Sequence, residues 1–177
     1  MKKRISTRKL CLLAVFTAIT VILGIYATFR IGNQIKIPLK FITVFMTGAI
    51  FGAIPAGVVA ALADILNAVL VPVGPWLPQI TAVEFLYGII YGVFFWKVAD
   101  NKFYYLRTLL CCLIQFGVSI TLMSKILTDV GYFSSFYTAL IIRMPAAIVT
   151  FLMHMAVLCV LRKIIFRMKN YFTKEEI

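Results

Sequence analysis

Asp64 and Asn67 stand three residues apart in a run that is otherwise apolar, Glu84 and Tyr87 repeat that spacing with Tyr91 one turn further on, and Arg143 interrupts Ile142 and Met144. Residues three or four apart share a helix face, so each group presents its polar atoms in one direction. Between the two acids runs Pro72-Val-Gly-Pro-Trp76-Leu-Pro78, which places an indole in a tight turn. Ionisable groups inside apolar spans are costly and by default mark a ligand path or a site. The three charges could instead neutralise one another. A cavity for a polar organic molecule explains better why acids, an amide and aromatic rings occur together.

Bond-making chemistry has no comparable support. Neither a Gly-rich phosphate loop nor an HExxH pair occurs, and His154 has no Ser or Cys nucleophile at a recognisable elbow. His154 sits between Met153 and Met155, but adjacent residues on a helix point in different directions. The triplet therefore cannot close around one ion, and a packed, hydrogen-bonded His is expected. Cys11, Cys111, Cys112 and Cys159 lie in apolar runs without CxxC spacing and read as buried packing residues. No catalytic residue, metal site or cofactor is expected.

The elements that carry these residues follow from composition. The chain is 63% hydrophobic and only 14% charged, against about 25% charged in soluble domains, and its mean hydropathy is +1.01. This is the composition of an integral membrane protein, and 177 residues allow about six spans of roughly 20 residues and no soluble domain. Apolar runs fall at about Leu10–Thr28, Phe41–Val71, Ile80–Trp96, Thr108–Leu127 and Phe136–Leu161. The second is too long for one span and holds Gly52-Ala-Ile-Pro55-Ala-Gly57 in its middle, so it reads as two short helices joined by a tight turn.

Charge tests the split. The formal charge of +12 is concentrated before the first run (Lys2, Lys3, Arg4, Arg8, Lys9), in a mid-chain loop (Lys97, Lys102, Arg107) and after the last run (Arg162, Lys163, Arg167, Lys169, Lys174). Clusters beside apolar spans read as cytoplasmic markers and lipid-headgroup contacts rather than a nucleic-acid surface. Only an even number of spans puts all three on one side. The expectation is an all-α, six-span membrane domain over residues 1–177, with a basic segment 1–9 and tail 162–177 in the cytoplasm. Outer loops fall near Arg30–Lys40, Pro72–Pro78 and Asp129–Ser135. The first run is longer than a signal-peptide core and has no clear cleavage site, so it reads as a retained helix.

Small residues recur four apart at Ala14/Ala18, Gly48/Gly52 and Gly88/Gly92, a spacing that lets helix backbones approach closely.

The order Ala61-Leu-Ala-Asp64-Ile-Leu-Asn67, Pro72-Val-Gly-Pro-Trp76-Leu-Pro78, Thr81, Tyr87-Gly-Ile-Ile-Tyr91-Gly92 and Arg143-Met-Pro145 resembles the substrate-binding (S) component of energy-coupling-factor (ECF) vitamin importers, within it the folate family. The chain departs from the family's usual pattern at Pro38, Thr43, Gln79 and Glu84. The resemblance implies six helices, a pocket near the outer face lidded by the loop between the first two helices, and no hydrolysis by the chain itself. It also implies that Ala14 and Ala18 face a transmembrane coupling subunit driven by two cytoplasmic ATPases. A folate-like ligand would find stacking faces on Trp76, Tyr87 and Tyr91. Asp64 or Glu84 could accept from its amino edge, and Arg30, Lys36 or Arg143 could pair with carboxylate. The same inventory fits thiamine or another vitamin, and a stand-alone secondary transporter or a non-transporting scaffold are further readings.

Overall fold

A computed structural model describes residues 7–31, 35–72, 76–96 and 103–174. Helix α1 (Thr7–Tyr26) leads into an antiparallel hairpin, β1 (Thr28–Ile31) with β2 (Ile35–Pro38), and then come α2 (Lys40–Phe51), α3 (Ala53–Leu70) and α4 (Pro78–Phe95). Next are α5 (Tyr104–Val118), a π turn (Ser119–Met123) and α6 (Ser124–Asp129), which together make one unbroken rod. The chain closes with α7 (Phe136–Lys174). Among the described residues, five stretches are long and apolar enough to cross a membrane: α1, α3, α4, the rod Tyr104–Asp129, and Phe136–Ile165 within α7. The sixth, α2, has 12 residues and spans only about 18 Å. The chain is a multi-pass membrane protein.

The long apolar run breaks where expected, and the backbone shows why. Gly52 takes φ 97°, a conformation that side chains with a Cβ rarely adopt, and this single residue turns α2 into α3. Pro55 does not break anything. It lies in the first turn of α3, where its missing N–H has no helical partner to lose. The same rule places Pro78 at the start of α4.

Helix directions follow from contacts. Lys40 meets Glu84, Phe45 meets Tyr91 and Phe95, and Gly52 meets Trp96, so α2 and α4 run parallel. Asp64 meets Thr81 and Ala53 meets Gly92, so α3 runs against both. A Cβ on Gly92 would collide with the Ala53 backbone, and one on Gly88 with the carbonyl of Ala56. The Gly88/Gly92 spacing therefore serves internal packing of α4 on α3. Around this seam an aromatic core forms, with Phe45 edge-on to Phe95 at 4.7 Å and Phe95 against Tyr104 at 5.5 Å. The Tyr104 hydroxyl donates to the Leu158 carbonyl at 2.8 Å.

The described members of the basic clusters share one end of the bundle. Lys9 lies over the Phe51 ring at 5.8 Å, Trp96 covers Gly52, and Arg162 stacks on Tyr104 and Tyr105 at 5.5 and 4.9 Å. The beginning of α1, the α2–α3 turn, the end of α4, the beginning of α5 and the basic part of α7 are thus gathered together. The hairpin, Asp64, Trp76 and the loop after Asp129 lie at the other end.

Three features differ from expectation. The first outer loop carries the hairpin, in register Phe29↔Ile37 and Ile31↔Ile35, which adds two strands to a helical bundle. The expected basic tail at 162–177 is helical as far as Lys174, because α7 continues for 39 residues, about 58 Å and so about twice a bilayer's hydrocarbon thickness. Cys11 is exposed on α1, whereas Cys111 and Cys112 are buried. Cys11 lies on the exposed surface of α1.

Candidate substrate cavity

Between α2, α4, the α5–α6 rod, the loop after it and α7 lies a cavity of about 870 Å³. Its walls combine rings (Phe41, Tyr87, Tyr91, Phe116, Phe133, Phe151) with a few polar groups, Lys40, Glu84, Gln115, Ser119, Arg143 and His154. This mixture, mostly aromatic with sparse converging polar atoms, and this size, within the usual range of about 300–1,000 Å³, are those of a small-molecule site.

Four of the residues singled out in the sequence, Glu84, Tyr87, Tyr91 and Arg143, line the cavity. Asp64, Asn67 and Trp76 are not among its lining residues. Asp64 accepts a hydrogen bond from the Thr81 hydroxyl at 2.7 Å, and Thr81 accepts one from the Trp76 indole N–H at 3.0 Å. The indole is therefore moored to α3 and α4. Asn67 abuts Gly24 on α1. Residues three apart on a helix differ in direction by about 60°, enough to turn Asp64 toward α2 and α4 while Asn67 faces α1. Arg30 and Lys36 are backbone partners across the hairpin; their side chains, like Gly74 and Pro75, lie outside the described residues.

The charges pair differently from any arrangement expected. Lys40, at the start of α2, holds Glu84 at 2.9 Å and Asp64 at 3.8 Å. A cation there opposes the helix dipole, and the two carboxylates offset that cost. Arg143 is left outside this group. Its Nη1 is buried and has no hydrogen-bond partner among the described residues.

Lys40, Gln115, Ser119 and His154 are cavity residues that sequence reasoning missed. The Tyr91 hydroxyl lies 3.4 Å from His154 Nδ1, and the imidazole rests on the Phe41 ring at 3.9 Å between centroids. His154 is packed and polar-bonded, as its setting implied, but it also faces the cavity. A usable signal existed for Lys40: two acids near the same end of α3 and α4 need a cation. Ser119 opens the π turn, a helix defect that is frequent at functional sites. No group of three or more metal-binding side chains occurs among the described residues.

A membrane bundle around an aromatic cavity, with the buried Arg143 Nη1 unpartnered among the described residues, has the make-up of a small-molecule binding site. The family model for "ECF-type riboflavin transporter, S component" matches residues 4–167, and the chain belongs to that family, which is a transporter component and not an enzyme. It is similar to the folate transporter FolT of Clostridium novyi (strain NT), at 41% identity over 63 residues, 36% of this chain and 37% of that protein. The match thus spans little more than a third of that relative. The crystal structure of FolT bound with folic acid is similar at TM-score 0.78 and 25% identity, covering 89% of this chain and 94% of that one.

Proposed function

We propose that this chain captures a folate-type vitamin from outside the cell and delivers it inward as the binding subunit of an ECF importer. The observation that carries this reading is Arg143, a guanidinium in the cavity wall whose buried Nη1 has no acceptor among the described residues. A folate supplies carboxylates for it, and a guanidinium binds carboxylate through paired, charge-assisted hydrogen bonds. Riboflavin, named by the family model, is uncharged and would leave this cation unanswered. Shape agrees with charge. Arg143 and His154 are eleven residues apart on α7, about 16 Å along the helix, so an elongated ligand can rest a flat head among the rings near His154 and reach Arg143 with its acidic end. Both FolT comparisons support the same choice. Calorimetric titration of the purified chain with folic acid and with riboflavin tests it. Folic acid is expected to bind and riboflavin not; the reverse result would overturn the folate reading.

The coupling partners proposed are a transmembrane subunit and two cytoplasmic ATPases. Ala14 and Ala18 lie on the exposed face of α1 together with Leu10, Val15, Ile19 and Ile22, a small-residue stripe on which a partner helix could seat closely. Replacing both alanines by Leu is expected to abolish uptake and co-purification of the partner while leaving ligand affinity within about twofold, since neither residue lines the cavity. Normal uptake by the double variant would remove the interface from α1.

The end that gathers Arg8, Lys9, Arg107, Arg162 and Lys163 is proposed to face the cytoplasm of a prokaryotic plasma membrane, following the distribution of positive charge. The hairpin then faces outward, and its β2 strand touches α7, a position suited to covering the cavity. In a Cys-free variant, a single Cys at Tyr132 is expected to react with a membrane-impermeant maleimide on intact cells and one at Arg107 only after lysis. Surface labelling at position 107 would invert the topology.

A further inference from the structure

Buried polar atoms without partners show what a cavity is built to receive. Among the described residues these atoms are Asn67 Oδ1, Gln115 Nε2, Ser124 Oγ and Arg143 Nη1. Asn67 and Ser124 do not line the cavity, whereas Gln115 and Arg143 do. Arg143 is matched by the carboxylate of the proposed ligand. Gln115 has no such account.

Gln115 projects from α5 and is only 6% exposed. The Tyr91 hydroxyl is the neighbour its amide faces, near His154. Because Nε2 carries two N–H groups, at least one is left without an acceptor among the described residues. Phe41, Phe116 and Phe151 supply ring faces in the same cavity. The amide is an uncharged donor in a cavity lined mostly by rings and aliphatic side chains. A buried donor is stabilised only when something accepts from it, and leaving it unmatched is costly. A site built around such a donor rejects analogues that lack the acceptor far more strongly than an apolar slot rejects a misfit.

We infer that Gln115 is a specificity-determining residue that reads the ring system of the ligand, its Nε2–H donating to a neutral acceptor, a ring nitrogen or ring carbonyl, on a flat heteroaromatic head lodged among Phe41, Tyr91, Phe116 and Phe151. The inference rests on the folate reading, since a pteridinone carries both kinds of acceptor at its edges. It divides recognition between two residues: Gln115 selects the head and Arg143 holds the acid.

Two variants of the full chain, Gln115→Leu and Gln115→Glu, test it. The first removes the donor and the second puts an oxygen in its place at equal size. Both are expected to weaken folic acid binding at least thirtyfold by calorimetry. Each should bind p-aminobenzoylglutamate, which keeps the carboxylates but has no pteridine, within twofold of the unmodified chain in a competition titration. Unliganded Gln115→Leu should also melt at or above the unmodified protein, because an unmatched polar group has been removed from its interior. A lower melting temperature for that variant, equal loss of both ligands, or folic acid binding unchanged in either variant would overturn the assignment. Failure of the folate reading looks different: the unmodified chain would not bind folic acid at all, and this inference would fall with it.

Discussion

Lys40→Met is expected to lower the stability of the unliganded protein by about 3–5 kcal/mol, the cost of removing one partner from a buried ion group. The side chains of Lys40, Asp64 and Glu84 are only 15–18% exposed, so water screens them little. Methionine keeps the length of lysine and most of its apolar contact, which isolates the charge. Without the cation, two carboxylates remain in one low-dielectric pocket with no compensating charge among their observed partners. The damage should spread beyond the cavity, because Asp64 also accepts from Thr81 and Thr81 from Trp76, so the loop before α4 loses its mooring. Thermal unfolding in detergent, followed by Trp fluorescence, measures the effect. The reciprocal variant Asp64→Asn/Glu84→Gln on the Lys40→Met background should recover most of the loss, since neutral amides need no cation. If Lys40→Met melts within about a degree of the unmodified chain, the three-residue group does not hold α2, α3 and α4 together.

That group also shows how far the sequence could be read. Span positions and the break at Gly52 were legible, because hydropathy and a Gly/Pro-rich interruption are local signals that the membrane enforces. The hairpin was not. Its strands have four residues each, shorter than a dependable alternation, although Ile31-Gly-Asn-Gln-Ile35 carries a turn signal between β-branched residues. The site was half legible. Asp64, Glu84 and Arg143 stand out because charges in apolar runs are conspicuous, but who pairs with whom depends on helix rotation and on approach between distant segments. Lys40 looked like a loop residue because it precedes an apolar run, yet α2 begins there and carries it inward to both acids. Gln115 and Ser119 were passed over, and His154 was read only as a packed residue, for a related reason. Each is an unremarkable polar residue in its own helix, and only the packing of α5 and α7 around α4 turns all three to one space.

The pairing of Lys40 with both acids frees Arg143 for a different role, and this sets up an effect opposite in kind. Arg143→Met is expected to weaken folic acid binding by about 2–5 kcal/mol, more than tenfold in Kd, while leaving the unliganded fold as stable as before or slightly more so. The asymmetry follows from what each substitution leaves behind. Removing Lys40 strands carboxylates of the protein itself; removing Arg143 strands only the ligand's carboxylate, and relieves the unliganded cavity of a guanidinium nitrogen that is buried with no partner among the described residues. Arg143→Lys should recover part of the affinity, because the charge returns but the planar fork that engages both carboxylate oxygens does not. The ligand supplies the control. Folic acid and its diamide differ in charge but share ring system and length, so Arg143→Met should cost the acid far more than the diamide and nearly erase the preference between them. Titrating both ligands into both proteins closes the cycle. Equal losses for acid and diamide would mean that Arg143 shapes the cavity without touching the carboxylate, and the acidic end of the ligand would have to be sought at another cation, with Arg30 and Lys36 of the hairpin the next to replace.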